Sequence, residues 1–89
     1  MKAVITVTGK DSMGIIAGVA GVCADLGANI VDISQSVLQE YFAMIMLADI
    51  DCLHVDFAQF VDELEAYGAG RGLTIHTMHE DIFNTMHHI

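Results

Sequence analysis

The segment YFAMIMLADI, residues 41–50, restricts the possible folds more than any other part of the chain. Its aromatic and apolar residues predict a β-strand, in which neighbouring side chains point to opposite faces of the sheet. A sheet with one solvated face normally carries polar residues on that face, so this strand predicts a sheet that needs cover on both faces. The two apolar sets are Tyr41, Ala43, Ile45 and Leu47 on one face, and Phe42, Met44, Met46 and Ala48 on the other.

The first half of the chain predicts a strand, a helix and a second strand. KAVITVT, residues 2–8, is rich in β-branched residues, and a helical spacing of apolar residues follows it. Asp11 or Ser12 is the expected N-cap of this helix, because short polar side chains accept hydrogen bonds from first-turn amides. Gly27 is the expected C-cap, and NIVDISQSVL, residues 29–38, predicts the next strand.

The second half predicts a helix, a fourth strand and a short tail helix. Asp56 is the expected N-cap of the second helix, and LTIHTM, residues 73–78, predicts the strand. The tail EDIFNTMHHI, residues 80–89, is expected to form a short helix that buries Ile82, Phe83 and Met86. The predicted buried stripe of the second helix consists of Phe57, Phe60, Val61, Leu64 and Tyr67.

The order β-α-β-β-α-β predicts an α+β fold of the ferredoxin-like sandwich type. This fold has a four-stranded antiparallel sheet with two helices on one face, followed here by a short C-terminal helix. The length predicts a single domain, residues 1–89. The tail is too short to cover the second face of the sheet. We therefore predict a homodimer, because large apolar patches seldom stay exposed.

The composition argues against several classes of partner. The net charge is −9, from 12 acidic and 3 basic residues, and the chain lacks the basic stripe typical of nucleic-acid binding. The same charge disfavours an anionic membrane surface, and no apolar stretch is long enough to span a bilayer. Two cysteines do not suggest a disulfide framework, so we expect a reduced, cytoplasmic setting.

The loop GKDSMG, residues 9–14, matches only half of a phosphate-binding P-loop. Such a loop needs Lys and then Ser or Thr after its second glycine, and Ile15 and Ile16 stand there instead. We expect no nucleotide and no other cofactor. Gly14, Gly18 and Gly21 recur at helical spacing, although a helical glycine costs about 1 kcal/mol relative to alanine. This pattern predicts close helix packing or, at Gly14, the approach of a ligand to the backbone.

No set of side chains indicates catalysis or a specific metal site. Cys23 is predicted to be a small core residue at the margin of the apolar stripe of the first helix. His76 and His79 stand three apart on a strand and point to opposite faces, and the adjacent His87 and His88 diverge on a helix. We therefore expect a chain that is not an enzyme, with no catalytic residue and no structural metal.

Two regions resemble a known family. VTGKDSMGIIAGVAGVCADLGANIVDISQ resembles the signature half of the ACT domain, a small regulatory module that binds amino acids. When YFAMIMLADI and HEDIFNTMHHI are included, nearly the whole chain is similar to the stand-alone ACT proteins of bacteria and archaea that are grouped as UPF0237.

The resemblance implies a ferredoxin-like dimer that binds a small effector between its subunits. Amides at Gly14 and Ile15 would bind a carboxylate at the positive end of a helix, and Asp11 would accept a hydrogen bond from an ammonium group. The chain has Met13 where the family usually has proline, and Asp11 where asparagine often stands. The implied ligand-binding residues are Asp11, Met13, Gly14 and Ile15 of one subunit with Asn29 and Ile30 of its neighbour.

These observations predict a non-enzymatic, homodimeric sensor of an amino-acid-like effector, whose output passes through an unidentified partner protein. Two alternatives remain open. One is a protein-interaction module without a small ligand, which docks through the strand that carries Met44 and Met46. The other is a metal-binding protein that uses its histidines.

Overall fold

The computed structural model describes residues 1–10 and 14–86 and arranges their strands in one antiparallel sheet of order β2-β3-β1-β4. The helices α1 and α2 pack on one face, so the predicted ferredoxin-like sandwich is confirmed. The elements are β1 (Lys2–Gly9), α1 (Ile15–Leu26), β2 (Asn29–Leu38), β3 (Tyr41–Asp49), α2 (Phe57–Ala69), β4 (Thr74–His79) and α3 (Glu80–Met86).

The core lies between the sheet and the two helices, and β3 divides its apolar residues between core and surface. One set faces the core and is buried, whereas the other set faces away from α1 and α2. We call this second face of the sheet the outer face. Met44 and Met46 belong to the buried set, so the hypothesis of a docking surface built from these two methionines is wrong. The largest fully buried side chains are Phe60, Ile5, Met44, Met46, Leu64, Val7, Val19 and Cys23.

Two of the three predicted helix caps are confirmed. Gly27 has a φ of 88°, and its N–H donates to the carbonyl of Ala24 while the N–H of Ala28 donates to that of Cys23. This pair of hydrogen bonds is a Schellman motif, which satisfies the last carbonyls of α1. The Asp56 carboxylate accepts a hydrogen bond of 2.8 Å from the N–H of Gln59 at the start of α2.

The predicted N-cap of α1 is wrong. The cap is Gly14, with a φ of 73°, and not Asp11 or Ser12. The left-handed backbone at this position explains the difference, because glycine adopts a positive φ at no steric cost and marks the point where the loop turns into the helix. Gly14 has no side chain with which to accept hydrogen bonds from the first-turn amides.

Close packing between α1 and α2 accounts for Gly18. A Cβ atom built at Gly18 would overlap the hydroxyl oxygen of Tyr67 on α2, so only glycine fits there without displacing the ring. The Arg71 guanidinium lies over the Tyr67 ring at 3.9 Å from its centroid. A Cβ atom built at Gly21 would meet no atom of the described residues within 4 Å. Packing therefore does not explain this second helical glycine.

The tail helix covers part of the outer face. α3 lies beside β1 and β4, and Val4 of β1 is only 3% exposed although it is on the outer face with Leu47 and Met78. The β3 part of the outer face stays open. The prediction that α3 buries Ile82 is wrong, since this side chain is 54% exposed; Phe83 is half-buried, and the side chain of Met86 lies outside the described residues.

A matched pair of substitutions tests the α1–α2 contact. Gly21→Ala adds a methyl group in open space and should raise the free energy of unfolding by about 1 kcal/mol, the usual gain over a helical glycine. Gly18→Ala should lower this free energy by about 1–3 kcal/mol, because the new methyl group must displace Tyr67. Urea denaturation of both variants measures the difference, and equal stability would contradict the described packing.

The two cysteines should differ in reactivity. Burial raises the pKa of the Cys23 thiol to about 11, whereas Cys52 is exposed. A thiol reagent at neutral pH should modify Cys52 in the native protein and Cys23 only after denaturation. Because the folded pKa of Cys23 lies above its ordinary value of 9.0, its contribution to stability is complete below pH 9 and is lost between pH 9 and about 11. Equal reaction rates in the native state would show that Cys23 is accessible.

Candidate functional site

The first half of the predicted effector site lies at the start of α1. Gly14 is exposed, and an added Cβ would meet no atom of residues 1–10 and 15–86 within 4 Å, so none of these residues blocks the approach of a ligand to its backbone. The side chain of Ile15 is 5% exposed and belongs to the core, which leaves its backbone N–H as the group available to a ligand. Asp11 and Met13, which complete this half of the prediction, lie outside the described residues.

The backbone supplies the chemistry of this half. The carbonyl of Gly14 accepts a hydrogen bond of 2.9 Å from the N–H of Gly18, which begins the helical pattern. The N–H groups of the first turn point away from the helix and have no acceptor within it. Together with the helix dipole, they give this end of α1 a partial positive charge that favours a carboxylate or another small anion.

The second half of the predicted site lies where β2 begins. Asn29 is exposed and pairs with Asp49 across β3, and Ile30 is half-buried beside the core. The turn before Asn29 packs closely against the next loop, because a Cβ at Gly27 would overlap the carbonyl oxygen of Cys52. The His54 N–H donates a hydrogen bond of 2.8 Å to the carbonyl of Leu26, which joins this loop to the end of α1.

The two halves lie at opposite ends of the same helix. α1 contains 12 residues, so its ends are separated by about 18 Å at 1.5 Å per residue. The sheet register agrees, because Gly9 pairs with Phe42 at one end of β3 and Asn29 pairs with Asp49 at the other end. A single copy of the chain therefore does not bring Gly14 and Asn29 to the same small ligand.

A recess near the first half was missed by the sequence analysis. Its volume is about 380 Å³, and the Lys10 ammonium lies close by, 5.8 Å from the centroid of the Tyr41 ring. The recess forms where β1 pairs beside the β2–β3 hairpin. No local sequence pattern predicts the register of this pairing. The recess is lined by Thr8, Gly9, Ser36, Tyr41, Phe42 and Ala43.

The described side chains offer little support for a catalytic cysteine or for a metal site. Cys23 is buried with its pKa raised by desolvation, which keeps the thiol protonated and unreactive. His76 pairs with Thr6 on the outer face, whereas His79 stacks on Phe57 with ring centroids 4.1 Å apart. Within residues 1–10 and 14–86, no group of three or more His, Cys, Asp and Glu side chains is placed to hold a metal ion. His87 and His88 lie outside this part of the chain.

Over the part of the chain that the structure describes, no helix has both the length and the apolar character needed to cross a bilayer.

Comparison with known proteins shows the family to which this chain belongs. An ACT domain family model matches residues 2–77. A UPF0237 protein of Clostridium acetobutylicum is 49% identical over 89 residues, which cover 100% of both chains. A UPF0237 protein of Methanocaldococcus jannaschii is 48% identical over 88 residues, covering 99% of this chain and 98% of the relative.

A solved structure gives the same result in three dimensions. The ACT domain protein from Streptococcus pneumoniae matches with a TM-score of 0.81 at 48% identity, and the match covers 93% of each chain. Family model, relatives and structure therefore agree with the resemblance noted from the sequence. The chain belongs to the ACT domain family of regulatory domains, and within it to the UPF0237 group.

Proposed function

We propose that this chain is a non-enzymatic regulatory domain that binds a small amino-acid-like effector between two copies of itself. One copy supplies the loop and the α1 start with Asp11, Met13, Gly14 and Ile15. The other copy supplies the start of β2 with Asn29 and Ile30. The observation that carries this proposal is the position of the two exposed half-sites at opposite ends of α1, which only a second copy can join.

The free edge of β2 provides a way to join them. β2 is an edge strand of ten residues, and such an edge presents unpaired N–H and C=O groups that another strand can bind. Two copies paired antiparallel along β2 are related by a two-fold axis. This axis sets the α1 start of one copy beside the β2 start of the other and generates two equivalent sites.

Each part of an amino acid then has a suitable partner. The effector carboxylate binds at the first-turn amides of α1, which begin at Ile15. The ammonium group donates to Asp11, and the amide side chain of Asn29 both donates and accepts across the interface. Ile30 supplies an apolar contact for the effector side chain.

Regulation follows from binding between two copies. An effector that contacts both subunits stabilises the paired arrangement relative to other arrangements. Occupancy of the site is thereby coupled to the geometry of the dimer, and a partner protein that reads this geometry would carry the signal further.

A thermal-shift screen with the twenty amino acids tests the proposed function. A ligand at a hundredfold excess over its Kd stabilises the native state by about 2.7 kcal/mol, which raises the Tm of a domain of this size by several degrees or more. We expect a selective rise in Tm with one or a few amino acids. Asn29→Ala should remove this rise and leave the protein folded.

Asn84→Ala is the matched control for that experiment. Asn84 is equally an exposed asparagine, but it lies on α3 and outside the proposed site. This variant should respond to the same amino acid as the wild type. A response that survives in Asn29→Ala would remove Asn29 from the site, and a flat response of the wild type to all twenty would contradict the proposed effector.

A further inference from the structure

The recess beside Tyr41 opens on the outer face of the sheet, whereas α1 and α2 pack on the other face. Three of its residues form one row across the strands, because Ala43 pairs with Thr8 of β1 on one side and with Ser36 of β2 on the other. All three side chains are small, so this row is the floor of the recess. Larger side chains stand on either side of the floor, since Tyr41 and Ile45 are the next outer-face residues along β3.

The dimensions of the recess suit a ligand with the size of one aromatic ring. Its volume is about 380 Å³, near the lower end of the roughly 300–1,000 Å³ of small-molecule sites in proteins. Tyr41 and Ile45 are separated along β3 by about 13 Å, and Thr8 lies two strand spacings, about 10 Å, from Ser36. A flat ring therefore fits over Ala43, where it meets the Tyr41 ring in an offset-stacked or edge-to-face geometry.

Lys10 gives the recess a positive charge, in a protein with a net charge of −9. All 3 lysine and arginine residues of the chain lie in its described part, and the other two are elsewhere. Lys2 begins β1 at the opposite end of that strand, and Arg71 lies over the Tyr67 ring. A small anion is repelled by most of this acidic surface and attracted to the recess.

The contact between Lys10 and Tyr41 leaves the ammonium available to a ligand. The Lys10 Nζ atom lies 5.8 Å from the centroid of the ring, close to the limit of about 6 Å for a cation–π interaction. A carboxylate can replace this long contact with a charge-assisted hydrogen bond, and the hydroxyl of Thr8 can donate a second one. The acidic residues nearest in sequence are Glu40, in the β2–β3 turn, and Asp11, which lies outside the described residues.

We propose that the recess binds a small aromatic carboxylate. The ring lies over Ala43 beside the Tyr41 ring, and the carboxylate binds the Lys10 ammonium and the Thr8 hydroxyl. Ser36 supplies a second hydroxyl at the opposite end of the floor, where it meets a polar substituent of the ring. This site lies on the outer face of a single copy, so it needs neither the first-turn amides of α1 nor the pairing of two copies.

Titration with benzoate, followed by NMR of the backbone amides, tests the site. We expect saturable chemical-shift changes centred on Gly9, Ser36 and Ala43. Benzamide has the same ring without the charge and should bind about three- to tenfold more weakly, the usual effect of losing a partly exposed charge-assisted contact. Lys10→Gln should weaken the binding of benzoate by the same factor and leave that of benzamide unchanged.

Two variants separate the charge from the shape of the recess. Lys2→Gln makes the same change in charge at the other end of β1 and should bind benzoate as the wild type does. Ala43→Leu fills the floor at an exposed position and should abolish the binding of both benzoate and benzamide. Benzylamine, which is a cation at neutral pH, should bind more weakly than benzamide.

The outcomes also separate this site from the proposed effector site. Asn29→Ala, which should remove the response to an amino acid, should leave the binding of benzoate unchanged. Shifts centred on Gly14 and Ile15 would assign the carboxylate to the start of α1 and overturn the recess. The absence of saturable shifts, or equal affinity of Lys10→Gln and the wild type for benzoate, would overturn it as well. Tighter binding of benzylamine than of benzoate would show that acidic groups dominate the recess and would contradict the proposed ligand.

Discussion

The pairing of β1 and β2 with β3 determines where the two ends of α1 lie. Because both strands run antiparallel to β3, they run parallel to each other, and the chain must leave β1 at one end of the sheet and return through α1 to begin β2 at the opposite end. Gly14 and Asn29 therefore lie at the two ends of one helix. The pairing of β1 with β3 also places Ile5 and Val7 in the core under both helices, so the stability of the domain and the division of the proposed effector site have one structural cause.

Elements with a strong local pattern could be predicted from the sequence, and contacts between elements could not. The β2 bounds, the Gly27 cap and the Asp56 cap depend on neighbouring residues, and each was predicted correctly. The N-cap of α1 was not, because Asp11 and Ser12 have side chains that favour a cap, whereas the positive φ at the start of α1 favours glycine. Ile82 was expected to be buried by the tail helix, but the sequence of a short helix does not reveal how much of the sheet that helix can cover.

The strand β3 shows a limit of the sequence pattern. Both of its faces are apolar, so periodicity separates the two sets of side chains but does not say which set meets the helices. The structure places Met44 and Met46 inside and leaves Tyr41 and Ile45 outside. The hypothesis of docking through the methionines fails for this reason, because Met44 and Met46 belong to the set that meets the helices. The two glycines within α1 show the same limit of the sequence pattern. Only Gly18 has a packing partner, and that partner, Tyr67, is distant in sequence.

The central claim is that each effector site combines the α1 start of one copy with the β2 start of another. Subunit mixing tests it with an amino acid that stabilises the wild type. Asp11→Ala and Asn29→Ala each damage a different half, so neither should bind that amino acid alone. Random mixed dimers contain one intact site, so calorimetry on an equimolar mixture should recover about a quarter of the wild-type sites. No recovery on mixing, with subunit exchange verified, would show that both halves act within one chain and would contradict the account.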